Sequence, residues 1–359
     1  MNLKNVLKYL ISLAIAGGLL WFTFTQSHLD AGDLWAKISA ADYRWVMVSA
    51  LLTMVAHWSR AERWRILLEP VVPQRPTSLE ATVSVLTGYL ANLALPRAGE
   101  VARCGTLYRL SARSGVPVPV NVSFGTVVAE RLFDVLMLLI LLAATFVLEF
   151  DRLSQFFMEF FGNKVGGQST GTGGSSGVLL MVGAVLLGLA ALGWFLYGRY
   201  RDALGRHPLY QKVTAFTKGL LEGLLSVRKL RRPGAFVFHT LLIWTMYYLM
   251  SYTLFFAMPA TANLSPLAGL TILVVGSLGM AAPTPGGIGS FHLLVGQVAL
   301  LYNLTSQDGQ ILATFIHGVS TLMIIILGIS SLLVVLFRRS KTTTSSAVLT
   351  GPNAINAER

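Results

Sequence analysis

Long apolar runs alternate with short charged segments along this chain, and the runs have the length of helices rather than strands. A helix crossing a bilayer needs about 20 predominantly apolar residues. Residues 6–25, 43–60, 120–148, 178–198, 235–257 and 310–337 meet that length without interruption. Two further apolar stretches are broken in the middle by proline and glycine. The first, 79–115, breaks at Leu95-Pro96-Arg97-Ala98-Gly99-Glu100; the second, 264–304, breaks at Pro283-Thr284-Pro285-Gly286-Gly287-Ile288-Gly289. The pattern predicts an all-α polytopic membrane protein with six spanning helices, because a span must satisfy its backbone polar groups internally.

Charge orients the spans. Arg60, Arg63, Arg65 and Arg75 follow the second helix, and 97–113 adds Arg97, Arg103, Arg109 and Arg113. The segment 199–232 and the start of the tail (Arg338, Arg339, Lys341) are also basic, whereas 26–42, 149–177 and 258–263 are poor in Lys and Arg. The basic segments belong in the cytoplasm and the others outside. Arginine flanks 79–115 on both sides, while 264–304 carries no Lys or Arg. Each broken stretch therefore reads as a re-entrant helical hairpin, one from each face. Two full crossings would instead put 149–177 inside and the basic 199–232 outside.

The halves 1–148 and 178–337 then match in an inverted sense, as helix, helix, hairpin, helix, within one membrane domain spanning 1–337. A Gly/Ser linker at 162–177 joins them as flexible coil, and 340–359 reads as a disordered cytoplasmic tail. Residues 1–25 read as a retained helix and not as a cleaved signal peptide, because no small-x-small site follows Trp21-Phe22-Thr23-Phe24. Both termini are thus expected in the cytoplasm, with the protein in the inner (plasma) membrane. Interrupted segments at corresponding places in two inverted halves point to a transporter's binding site.

Composition sharpens this. Of the 359 residues, 54% are hydrophobic and 12% charged, against about 25% charged in soluble domains. The net charge of +12 lies beside the apolar runs, which fits positive-inside topology and anionic-lipid contact and argues against nucleic acid as a partner. Within 208–230, apolar residues recur at helical spacing among lysines and arginines, as in an amphipathic interfacial helix. One cysteine, Cys104, excludes an internal disulfide and a cysteine-built metal site.

Three charges, Glu130, Arg131 and Asp134, fall inside the third span. If that helix starts near Val120, Glu130 lies about 15 Å deep, near the bilayer centre. A charge there costs about 2.5–3.5 kcal/mol. Their spacing allows one shared face. They would hold a polar headgroup or couple its movement to a proton; alternatively Arg131 and Asp134 form a buried pair that locks helices together. At the first break, Arg97, Glu100 and Arg103 stand where a new half-helix offers its positive end to anions. The opposing reading has Glu100 capping that half-helix and the arginines reaching cytoplasmic headgroups. At the second break, beside Pro285, the glycines Gly286, Gly287 and Gly289 expose amides suited to an anion nest, or the four merely form a tight turn. Ser290 would cap the next half-helix, and His292 and His317 would face the same cavity.

No metal-ligand spacing, phosphate-binding loop or dinucleotide fingerprint occurs, so no cofactor, metal or catalytic residue is expected. Gly173-Gly174-Ser175-Ser176-Gly177 fits a nucleophile elbow only inside a low-complexity linker.

Three stretches together resemble the lysylphosphatidylglycerol synthase transmembrane family, or flippase-like domains: Gly88 to Arg103, Val128-Ala129-Glu130-Arg131-Leu132-Phe133-Asp134, and Pro283 to Gly289. The resemblance covers roughly 1–337. It implies an integral membrane domain that, in aminoacyl-phosphatidylglycerol synthases, precedes a soluble transferase and handles the modified lipid. After Phe337 this chain has no room for a transferase, so it is not expected to be an enzyme. The expected partner is a membrane phospholipid or polyprenyl-linked lipid. Its anionic or glycosylated headgroup would be translocated between leaflets, or else presented to a separate transferase by a non-transporting accessory subunit. A membrane enzyme acting on lipid phosphates through Glu130 and Asp134 is the weakest of the readings, since neither a metal site nor a nucleophile is in evidence.

Overall fold

The helix starts follow directly from the sequence. Thr77 and Glu80 form a reciprocal capping box, with Thr77 N–H donating to Glu80 Oε2 at 2.9 Å and Glu80 N–H to Thr77 Oγ1 at 3.2 Å. Asp30, Asp42 and Ser265 each accept a backbone N–H of the helix they open, and Pro233 and Pro266 stand in first turns, where a missing N–H costs nothing. The computed structural model describes residues 3–95, 98–152 and 230–337. In chain order these form α1 (Leu3–Gln26), α2 (Ala31–Ser39), α3 (Tyr43–Leu68), α4 (Ser78–Ala94), α5 (Gly99–Arg113) and α6 (Val120–Leu148), then α7 (Pro233–Tyr252), α8 (Pro266–Ala281), α9 (Ser290–Ala299) and α10 (Ser306–Phe337). Short 3₁₀ turns occupy Thr253–Ala257, Pro285–Gly287 and Leu300–Tyr302. The described residues contain no strand.

Both broken stretches fold back on themselves. Along α4 and α5, Glu80 meets Ser114 (2.5 Å), Val83 and Leu110 share a core, and Gly88 lies against Gly99. Rising numbers on one helix thus meet falling numbers on the other, which makes the pair antiparallel. In the second stretch Thr271 accepts from Tyr302 Oη at 2.6 Å, and the Gly279 carbonyl accepts from Ser290 Oγ at 2.7 Å, again antiparallel. In lipid, close backbone approach and not water exclusion drives helix association. Gly88, Gly99, Gly296 and Gly309 sit where a β-carbon would strike the neighbouring helix.

One core gathers Ala61, Trp64 and Leu68 of α3, Ala81 and Val85 of α4, Cys104 and Leu107 of α5, and Val127 of α6. A second joins Phe255, Ile272, Phe291, Val295, Leu312 and Phe315. By contrast Leu139, Ile140, Phe146 and Val147 of α6 and Ile326, Leu333 and Phe337 of α10 are exposed. A protein in water does not leave such flanks bare; these face lipid.

Several expectations change. Three described helices, α6, α7 with its 3₁₀ extension to Ala257, and α10, are long and apolar enough to cross a membrane, and a fourth span arises if Leu10–Gln26 and Ala31–Ser39, bent by 86°, count as one. α3 runs to Leu68 and not to 60, and its second half carries His57, Arg60, Glu62, Arg63 and Arg65, too charged to pass on composition. The sharp bend ahead of α2 falls in the segment read as a plain outer connection; His28 turns there with φ +50° and Asp30 caps the new helix. The span at 178–198, the linker at 162–177, the interfacial helix within 208–230 and the tail at 340–359 lie outside the described residues, apart from Leu230 at the very edge of the interfacial segment.

Candidate functional site

Arg60 and Arg63 stand one turn apart on α3 and point into the bundle, 3% and 0% exposed. Facing them, α6 presents Glu130 and Asp134, also one turn apart. Arg60 Nη2 lies 2.8 Å from Glu130 Oε1 and bonds Asp134 Oδ2 at very short range. Arg63 Nη2 donates to Asp134 Oδ1 at 2.6 Å. From α5, Arg103 places Nη2 2.8 Å from Glu130 Oε2, with its guanidinium 4.0 Å over the Trp64 ring. Arg60 also donates to Tyr247 Oη of α7 at 3.0 Å and lies 5.9 Å over the Tyr89 ring of α4. Five helices thus contribute to one buried ionic knot.

At its mouth, Arg131 (41% exposed) pairs with Glu100 (24%) at 3.2 Å, joining α6 to the first hairpin, and lies 3.7 Å from Asp134. Four guanidiniums, Arg60, Arg63, Arg103 and Arg131, face three carboxylates, Glu100, Glu130 and Asp134. Among the described residues, one positive charge is left over. Nε and Nη1 of the fully buried Arg63, and Nε of Arg60 and Arg103, have no hydrogen-bond partner. Unspent donors of that kind are uncommon in a folded interior.

Of the residues singled out in the sequence, Glu100, Arg103, Glu130, Arg131 and Asp134 therefore meet at one place, and Arg97 lies outside the described residues. Asp134 is held chiefly by Arg60 and Arg63, and Arg131 is mainly Glu100's partner. Glu100 does not cap α5; the Gly99 N–H donates instead to Asn92 Oδ1 at 2.7 Å. Arg60 and Arg63 join the knot although the sequence pattern places them among the cytoplasmic charges that follow the second span. The signal was present in their three-residue spacing within a helical pattern that continues to Leu68.

Pro285, Gly286, Gly287 and Gly289 form a second group. Gly286, Gly287 and Gly289 take φ of +58°, +78° and +83°. A β-carbon on Gly289 would meet Leu19 of α1 at 2.8 Å, and one on Gly286 would meet Leu93 at 3.0 Å. Of the amides expected to form an anion nest, that of Gly287 is already spent on the Thr284 carbonyl, and the neighbouring Ile288 N–H is spent on that of Pro285. Ser290 does not cap α9; its hydroxyl donates to Gly279 O and bonds Thr284. Helix α4 runs between the two groups: Tyr89 faces the ionic knot, and Leu93, one turn later, touches Gly286.

The sequence model of the lysylphosphatidylglycerol synthase TM region matches residues 9–328. The chain belongs to that family. No curated protein and no solved structure matches it. The lysylphosphatidylglycerol synthase TM region match takes in both hairpins and every charged residue of the knot, so the cluster is part of the family's membrane domain and not of an appended segment.

Proposed function

We propose that this protein binds the headgroup of an anionic or glycosylated lipid at the α3–α5–α6 knot and passes it between leaflets, the acyl or prenyl tails remaining in the bilayer. The carrying observation is the uncompensated positive charge with unspent Arg63 N–H groups, beneath a half-exposed Arg131–Glu100 pair. A headgroup phosphate offers the acceptors such donors lack. The wider architecture belongs to the same reading: six spans, hairpins entering from opposite faces in an inverted repeat, and both termini in the cytoplasm of an inner membrane. The approach of Leu93 to Gly286 supports it, since two hairpins entering from opposite sides would meet tip to tip. Movement of a lipid along this route makes and breaks no covalent bond, so the protein is no enzyme in this reading.

Leaflet exchange in proteoliposomes tests this, with fluorescent phosphatidylglycerol and a fluorescent polyprenyl phosphate as probes. Arg131→Gln is the informative variant, because it changes the mouth and spares the buried pairs. Glu130→Gln strands the Arg103 charge and is expected to cost about 3–5 kcal/mol of stability, so it serves only with a melting curve beside it. Exchange that requires the protein and falls in Arg131→Gln supports transport. No exchange of either lipid by folded protein favours an accessory subunit that presents lipid to a separate transferase.

A further inference from the structure

A pair of buried imidazoles stands at the second break and takes no part in the ionic knot. Nε2 of His317, on α10, lies 2.9 Å from the Gly286 carbonyl oxygen. A carbonyl only accepts, so Nε2 carries the hydrogen and Nδ1 is the basic nitrogen of the neutral ring. His292, on α9 and 5% exposed, stands edge-on to it with ring centroids 4.9 Å apart, and its Nδ1 has no partner. Beside them Gln310 donates Nε2 to the His292 carbonyl at 3.2 Å and leaves its own buried Oε1 unpartnered. Phe291 stacks on the His317 ring at 5.3 Å. Two orphaned polar atoms and two imidazoles therefore share one small volume against a glycine whose left-handed conformation shapes the break.

Among the described residues, the surroundings hold no charge that would compete. α8, α9 and the 3₁₀ turns bring no Asp, Glu, Lys or Arg. On α10 the other titratable group is Asp308, which Lys37 of α2 holds at 2.6 Å. From Leu10 to Gln26 α1 brings no Asp, Glu, Lys or Arg; α2 also contributes Asp33, and α4 Glu80, at the end remote from the break. α3 contributes Arg44, His57, Glu62, Arg65 and the knot's arginines. Among the described residues, none of these forms an ion pair or ring contact with either imidazole.

We propose that His317, with His292 beside it, is the proton-binding site that couples lipid movement to a proton gradient. The proposal rests on the transport reading above and adds its coupling ion. One proton from the water of one face adds to Nδ1 of His317, turning the Nε2–H···O=C bond into a charge-assisted one and drawing the break toward α10. Release of that proton to the other face loosens the contact again. One proton enters and one leaves per cycle, and repulsion at 4.9 Å holds the pair to a single charge.

The test uses the full chain, histidine-labelled with ¹⁵N in nanodiscs for titration and reconstituted in proteoliposomes for exchange of fluorescent phosphatidylglycerol. His317→Gln keeps a donor for the Gly286 carbonyl without titrating, and its spectrum assigns the His317 signals. The expected result is that His317 takes a proton between about pH 8 and 5. A gradient of one pH unit then changes the parent's exchange rate by up to about tenfold, the ratio of proton activities. In His317→Gln the ratio of rates with and without the gradient becomes one, whatever the absolute rate. A gradient response that survives in His317→Gln overturns the proposal, as does a His317 ring that stays neutral to pH 5. Parent exchange that ignores the gradient overturns the coupling alone and leaves transport standing; no parent exchange at all overturns both.

Discussion

Arg131 and Glu100 make the most exposed contact of the knot among the described residues, and they answer a question the buried arginines cannot. If the pair serves only to hold α5 against α6, removing either charge does the same harm. If an anionic headgroup competes with Glu100 for Arg131, the two substitutions act in opposite directions. Glu100→Gln is expected to tighten binding of fluorescent phosphatidylglycerol a few-fold and Arg131→Gln to weaken it, since a half-exposed pair is worth about 0.2–1 kcal/mol. Quenching titrations in nanodiscs measure both, and equal weakening by the two would mean a purely structural pair. Residue by residue, the acidic half of this site was legible: Glu130 and Asp134 stand inside an apolar run where a charge has to be explained. The basic half was not, because Arg60 and Arg63 sit at a span's end, where cytoplasmic arginines also accumulate. Composition cannot separate an arginine that turns inward from one that reaches for headgroups; only the 0% exposure of Arg63 does.

Among the elements, the hairpins were the clearest part of the sequence, since Pro96 and Pro283 each interrupt an apolar run and a following glycine starts a new helix near the break. What the pattern left open was whether those glycines line a ligand site or let backbones touch. Gly289→Ala settles that for the second break. With φ at +83° and α1 already against it, the alanine variant is expected to lose about 1–3 kcal/mol, the usual cost of forcing a side chain into such a conformation. Gly125→Ala in α6 is the control. Nothing lies within 4 Å of its added methyl, so it is expected to gain roughly 0.5–1 kcal/mol of helix propensity. Melting curves in detergent rank the two, and a Gly289→Ala protein as stable as the parent would remove the packing role. The bend after α1 was illegible for a different reason: it rests on one residue, His28, in a conformation that no hydropathy pattern encodes.

For the molecule as a whole, orientation is the property that sequence reaches by counting charges. Labelling decides it. Cys104 is fully buried in the first core, so it is expected to stay silent toward a membrane-impermeant maleimide until the protein is unfolded. Single cysteines can therefore be read against it. In sealed inside-out vesicles a cysteine at Arg75 is expected to label, whereas one at Asp30 or Ala260 labels only once the vesicles are opened. The reverse pattern would invert the proposed topology and exchange the faces from which the two hairpins are proposed to enter.

One helix, α4, touches both the Arg60 side of the knot through Tyr89 and the Gly286 corner through Leu93. That makes it a lever with its two arms a single turn apart, and levers work in both directions. Whatever factor a proton at His317 contributes to the grip on a headgroup, the headgroup must return to the proton. An acid titration of His317 with and without bound lipid would therefore measure the strength of the proposed transport stroke at equilibrium, before any lipid has crossed.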